Sequence, residues 1–159
     1  AHDQAAVATA ASRALGQIGP AALPALLQEL ARNQPQSRLL AIEAIAAMGP
    51  RGAAAVTILI KRLNHPDQQT RHLSIKALGA IGPAARSAVP ELVKLLAAAD
   101  ADLRGAACQT LGKLGPAATS ARPRLQQLAN QDPIDFVRQA AQQAARHLDS
   151  PESGLPAVK

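Results

Sequence analysis

Aromatic residues are almost missing from this sequence: there is no tryptophan, no tyrosine and a single phenylalanine, Phe136. A stacking platform for single-stranded nucleic acid needs several π faces, so that mode of binding is excluded. A tetrapyrrole-sized pocket walled by aromatic rings is equally short of material. Cysteine is nearly absent as well. Cys108 alone cannot form an internal disulfide, which leaves the compartment open between the cytoplasm and an exported location reached after signal removal. Long apolar runs are lacking too. The charge-free stretch 14–28 is interrupted by Gln, Gly and Pro and falls short of the roughly 20 residues that cross a bilayer, so no membrane span is expected. Strand-type alternation of apolar and polar residues is nowhere evident.

What the chain does have is a period. Gly-Pro recurs at Gly19-Pro20, Gly49-Pro50, Gly82-Pro83 and Gly115-Pro116, at intervals of 30, 33 and 33 residues, each time after an Ala/Leu/Ile-rich stretch. A period of this length marks stacked supersecondary units that share a continuous core. Aligned on these turns, residues 1–20 form a half repeat, and 21–50, 51–83, 84–116 and 117–148 form repeats one to four. Residues 149–159 read as a loose tail, and the array counts as one domain. Within each repeat an apolar run such as 89–96 precedes a polar turn and a second run such as 103–111. Apolar residues in the second runs fall at helical spacing, as at Leu73, Ile75, Ala77, Leu78 and Ile81. Each repeat therefore reads as a hairpin of two helices.

The punctuation agrees. Asp67 and Asp100 stand where the second helices begin, and a carboxylate there accepts from free backbone N–H groups and suits the helix dipole. Asp132 and Asp135 read in the same way, as cap residues. Glycine closes each second helix, and the following proline sits in the first turn of the next. Pro24, Pro90 and Pro123, with Thr57 in the same column, predict first helices with a bent or two-part start, regular only from that proline onward.

The motif Leu-Gly-x-Ile/Leu-Gly-Pro at residues 15–20, 78–83 and 111–116, with a degenerate copy at 45–50, resembles the HEAT-like repeats, in particular the short bacterial type of phycobilisome-lyase-related proteins. An arginine near the start of the second helix, at Arg38, Arg71, Arg104 and Arg138, completes the resemblance. It implies an all-α, right-handed α-solenoid of stacked antiparallel helical hairpins, an armadillo-like superhelix. Such a scaffold hosts many roles, so the fold alone does not name one.

The arginine column is read as a structural ladder. Asp67, Asp100 and Asp135 lie three or four residues before Arg71, Arg104 and Arg138, and guanidinium forks match carboxylates. Arg38 has Gln34 in place of an acid. The expected binding surface is the outward stripe of the second helices, which the resemblance places on the inner face. Positions one, five and nine after the arginine share one side of the helix. There Arg13, Glu43, His72, Lys76, Gln109, Lys113 and Gln143 are the candidate partner-binding residues, with Gly105 in the same stripe.

Net charge is +6, of which residues 51–83 carry +4, with Arg51, Lys61, Arg62, Arg71 and Lys76 against Asp67. That is a patch rather than a track for a nucleic-acid backbone. Cys108 shares its column with Ile42 and Ile75 and reads as a core thiol, not a nucleophile. His65 and Asp67 lack further ligands for a metal, and no cofactor or catalytic residue is assigned. The reading is a non-catalytic scaffold for a protein partner or a segment of a larger assembly. A basic nucleic-acid-binding HEAT module is the alternative, and a bilin-lyase-like subunit, implied by the resemblance, is the second. Residues 1–20 supply a second helix without its first, which raises two expectations: further repeats upstream, or a cut made by processing or cloning.

Overall fold

The computed structural model describes residues 14, 17–31 and 34–149. These residues form helices and turns, with no strand among them, and the class is all-α. Eight α-helices lie wholly within the described residues: α1 (Leu23–Ala31), α2 (Pro35–Met48), α3 (Val56–Arg62), α4 (Gln68–Ile81), α5 (Val89–Leu95), α6 (Ala101–Leu114), α7 (Arg122–Gln131) and α8 (Asp135–His147). They divide into two compact units, Ala1–Ile81 and Gly82–Lys159.

Unit 1 holds two hairpins, α1 with α2 and α3 with α4, and the second helices α2 and α4 pack on each other. Its core is Leu26, Leu30, Ile42, Ile45, Leu59, Ile75 and Leu78, all at most 4% exposed. Unit 2 repeats the plan with α5 against α6, α7 against α8, and α6 stacked on α8. Leu92, Leu96, Cys108, Leu111, Leu114, Leu125 and Val137 fill its centre. Trimming one such leucine to alanine costs about 2–5 kcal/mol, so these layers carry most of the stability. Close helix approach needs a small residue at one point. A Cβ at Gly112 would lie 3.0 Å from the Ala144 Cα of α8.

The two-part first helices are present. Short 3₁₀ segments, Gly19–Ala22, Gly49–Ala55, Gly82–Ala88 and Gly115–Ala121, precede α1, α3, α5 and α7. The α-helices then begin one residue before Pro24, Thr57, Pro90 and Pro123, where proline costs no intrahelical bond. The glycine of each Gly-Pro pair is the chain-reversing element: Gly19, Gly49, Gly82 and Gly115 have φ of 74°, 57°, 71° and 58°, and no other described residue has positive φ. A side chain is disfavoured there. By length and mean hydropathy (1.4) the stretch Pro35–Arg62 is able to cross a membrane. It reverses at Gly49, however, and supplies much of the unit 1 core.

The last helix is one-sided. Val137, Ala140, Ala141 and Ala144 are buried, while Gln139, Gln142, Gln143 and Arg146 are exposed. Asp149, read from sequence as the start of a loose tail, is anchored: its carboxylate accepts from the Arg122 guanidinium, at 2.9 Å for Nη1, and its N–H bonds the Arg146 carbonyl. The rest of that tail and most of the half repeat lie outside the described residues.

Candidate functional site

The arginine column is held mainly by backbone carbonyls rather than by the acids expected from spacing. Arg71 Nη1 donates to the carbonyls of His65 and Pro66, both at 2.8 Å. Arg104 Nη1 donates to Ala98 at 2.9 Å and Ala99 at 3.0 Å, and Arg138 Nη1 to Asp132 at 2.6 Å. In every case the acceptor lies five or six residues back, in the turn between the two helices. A cation there also complements the carbonyl-rich end of the first helix.

The expected pairing of Asp67 with Arg71 is corrected. Asp67 is an N-cap whose Oδ2 accepts from the Thr70 N–H at 2.8 Å and from the Thr70 hydroxyl. Those bonds from Thr70 hold its carboxyl below the usual range. Asp100 is likewise a cap, accepting from the N–H groups of Asp102 and Leu103, and the fork on Arg104 comes from elsewhere. Asp132, 28 residues on, meets Arg104 Nε at 2.7 Å and Nη2 at 3.0 Å. The pair is buried, and its hydrogen bonds raise the Arg104 pKa and lower that of Asp132. Asp132 also accepts from the Ile134 N–H at 3.0 Å. Ile134, not Asp135, is the N-cap of α8, and Asp135 sits one residue later, in contact with Arg138. Arg38 is 5% exposed, and its Nε donates to the Thr70 hydroxyl at 3.2 Å.

Reading the sequence locally missed Asp132 and Thr70 as partners because both lie one repeat away. A signal did exist: Asp132 occupies the position six before Arg138, where its carbonyl accepts from that arginine and its side chain faces back to the preceding repeat.

On the outward stripe, Lys76 in unit 1 is exposed, while Glu43 and His72 are half-buried. His72 Nε2 is buried and has no hydrogen-bond partner among the described residues. In unit 2 Gln109, Lys113 and Gln143 are exposed. Gly105 departs from the expectation. It is buried under the Phe136 ring, whose Cε2 would sit 2.7 Å from a Cβ placed there. Phe136 itself stays 44% exposed, beside Ile134 at 38%. Arg13 lies outside the described residues. A shallow cleft of about 340 Å³ opens in unit 2 between Leu96 and Ala97 on one side and Arg124, Gln127 and Gln131 on the other.

Cys108 is fully buried, and desolvation pushes its thiol up to about 12. A thiolate is the reactive form, so this residue has core rather than nucleophilic character. No group of three or more His, Cys, Asp or Glu suited to a metal occurs among the described residues.

The paired, stacked helices have counterparts among known proteins. The sequence pattern of the HEAT repeats matches residues 23–85 and again 56–146, and that of the PBS lyase HEAT-like repeat matches residues 7–32. The chain belongs to the HEAT repeat family. Among solved structures, this HEAT-repeat chain is similar to one in the complex of CpcE and CpcF of phycocyanin lyase from Nostoc sp. PCC7120. The match has 25% identity and a TM-score of 0.74, covering 91% of this chain and 90% of that one. An engineered protein shares the fold at 23% identity and a TM-score of 0.66, over 88% and 72% of the two chains. No curated protein matches the sequence.

Proposed function

We propose that this HEAT-repeat chain is a non-catalytic scaffold that binds a protein partner through the exposed sides of its second helices. The observation that carries the reading is the contrast within those helices. Arg71, Arg104 and Arg138 of the arginine column are engaged by carbonyls and by Asp132, while Lys76, Gln109, Lys113 and Gln143 project where the repeat requires no particular side chain. Stacked repeats present a broad, rigid surface suited to contacts spread along an array. The test is a charge reversal, Lys76→Glu with Lys113→Glu. Partner recovery, quantified by mass spectrometry after affinity capture, is expected to fall, while thermal stability changes by no more than about 0.5 kcal/mol. Undiminished recovery of the same partner would remove the stripe from the reading.

A second reading is favoured by one finding, the similarity over nine-tenths of both chains to a component of a two-protein lyase complex. On that reading the partner is a second lyase subunit, and the pair handles a bilin. Mixing the purified chain with a free bilin and a co-expressed partner subunit distinguishes the two. A shifted bilin absorbance band supports the lyase role, and an unchanged spectrum supports the scaffold.

A further inference from the structure

Each unit buries an arginine at the joint between its two repeats and surrounds it differently. In unit 2 Arg104 receives the Asp132 carboxylate across the joint. In unit 1 Arg38 is as deeply buried, but the residue six before the next arginine is His65 rather than aspartate. Arg38 Nε rests on the neutral hydroxyl of Thr70, which in turn donates to Asp67, so that carboxylate meets Arg38 only through the hydroxyl.

A second cation enters the same joint. Arg62 stands at the position that Leu128 fills in repeat four, and its Nη2 donates to the Leu30 carbonyl. Its Nε is buried with no hydrogen-bond partner among the described residues, and a buried N–H without an acceptor calls for an explanation. Arg71, half-buried, borders the joint through the His65 and Pro66 carbonyls. His65 Nδ1 accepts the Asp67 N–H at 3.1 Å, which leaves Nε2 as the ring's N–H donor. Burial, then Arg38 and Arg62, hold the His65 pKa below its ordinary value, so the ring remains a neutral donor. Among the described residues, the charges that act on His65 are the guanidiniums of Arg38 and Arg62 and the carboxylate of Asp67, with Arg71 at the border of the joint.

We propose that this joint is an anion site that takes a carboxylate from an acidic side chain of a partner, supplying in trans what Asp132 supplies in cis to unit 2. A carboxylate is the anion this fold already uses at the corresponding place, and the planar guanidinium fork matches it in two parallel bonds. The proposal goes beyond the scaffold reading and rests on it only in drawing the carboxylate from a partner chain.

The test is calorimetric titration of the purified full chain with a capped hexapeptide of alternating Glu and Asp, with inorganic phosphate as the second probe. Two variants borrow their residues from unit 2. His65→Asp provides the carboxylate in cis, and Arg62→Leu removes the added cation. Each is expected to weaken peptide binding at least about tenfold, the loss of one charged hydrogen bond, with the helical circular dichroism spectrum retained. A chemical-shift change at the Arg62 Nε–H on adding peptide gives a second readout on the unmodified chain. No peptide binding by the wild-type chain overturns the proposal, as does full binding by Arg62→Leu or a folded His65→Asp variant. Tighter binding of phosphate than of peptide overturns the carboxylate assignment. Since the titration needs no partner, it is able to fail while capture through Lys76 and Lys113 stands.

Discussion

Repeat one meets repeat two through Arg38 on the Thr70 hydroxyl and Arg62 on the Leu30 carbonyl, whereas repeat three meets repeat four through the two-pronged Arg104–Asp132 ion pair. The hairpins, turns and stacked second helices are alike, so the contrast isolates the chemistry of the joint. It shows that the scaffold specifies a buried arginine and not what neutralises it. An ion pair withdrawn from water is worth little net, because desolvation offsets attraction, yet removing one member strands the other. A hydroxyl or carbonyl acceptor makes a weaker contact and leaves positive charge uncompensated.

The sharpest way to break this comparison is Asp132→Ala. It is expected to destabilise unit 2 by about 3–5 kcal/mol, measured by urea denaturation, because Arg104 is left buried and unpaired. The same measurement on Thr70→Val in unit 1 is expected to give about 1 kcal/mol. Equal costs would mean that the two joints are energetically the same despite their different partners. Between these values fall the turns, the control for what the units share. Gly49→Ala and Gly115→Ala force a side chain into positive φ and are expected to cost about 1–3 kcal/mol each, alike in both units.

Acid sharpens the contrast through two different windows. Asp132 has a folded pKa below the ordinary carboxylate value of about 3.9, so its contribution is present above that value. It is lost as pH falls through the depressed folded pKa. His65 also has a lowered pKa, but for a base the unfolded chain takes up the proton first. Unit 1 therefore begins to lose stability as pH falls below the ordinary imidazole value of about 6.5, well before unit 2 is touched. A His65 ring titration by NMR, run beside hydrogen exchange in each unit, reads both windows. The smallest effect is kinetic: native Cys108 is expected to resist thiol reagents at neutral pH and to react only as unit 2 opens. A cysteine placed at Ile75, its counterpart column in unit 1, reports the other half.

Much of this was legible in the sequence because it is decided locally. Gly-Pro at residues 49–50 and 115–116 marks the helix ends, since only glycine tolerates the reversal and proline starts the next helix. Asp67 and Asp100 cap through bonds to N–H groups two or three residues away. The stripe was legible only in part: Gln109 and Lys113 are exposed, but Gly105 is covered by Phe136, which reaches it from the neighbouring α8. The arginine pairing was misread because spacing along one helix ranks near neighbours first, and Asp132 is 28 residues from Arg104.

The sequence by itself determined the period, the helix boundaries, the core column of Ile42, Ile75 and Cys108, and membership in the HEAT repeats. Each of these follows from backbone geometry and apolar spacing within a single repeat. Only the tertiary structure decided which acceptor these arginines meet, that Asp149 is tied to Arg122, and that Arg62 enters the unit 1 joint on the Leu30 carbonyl. Those outcomes depend on which turn of one repeat lands against which helix of the next, a distance in space that residue spacing along the chain does not carry.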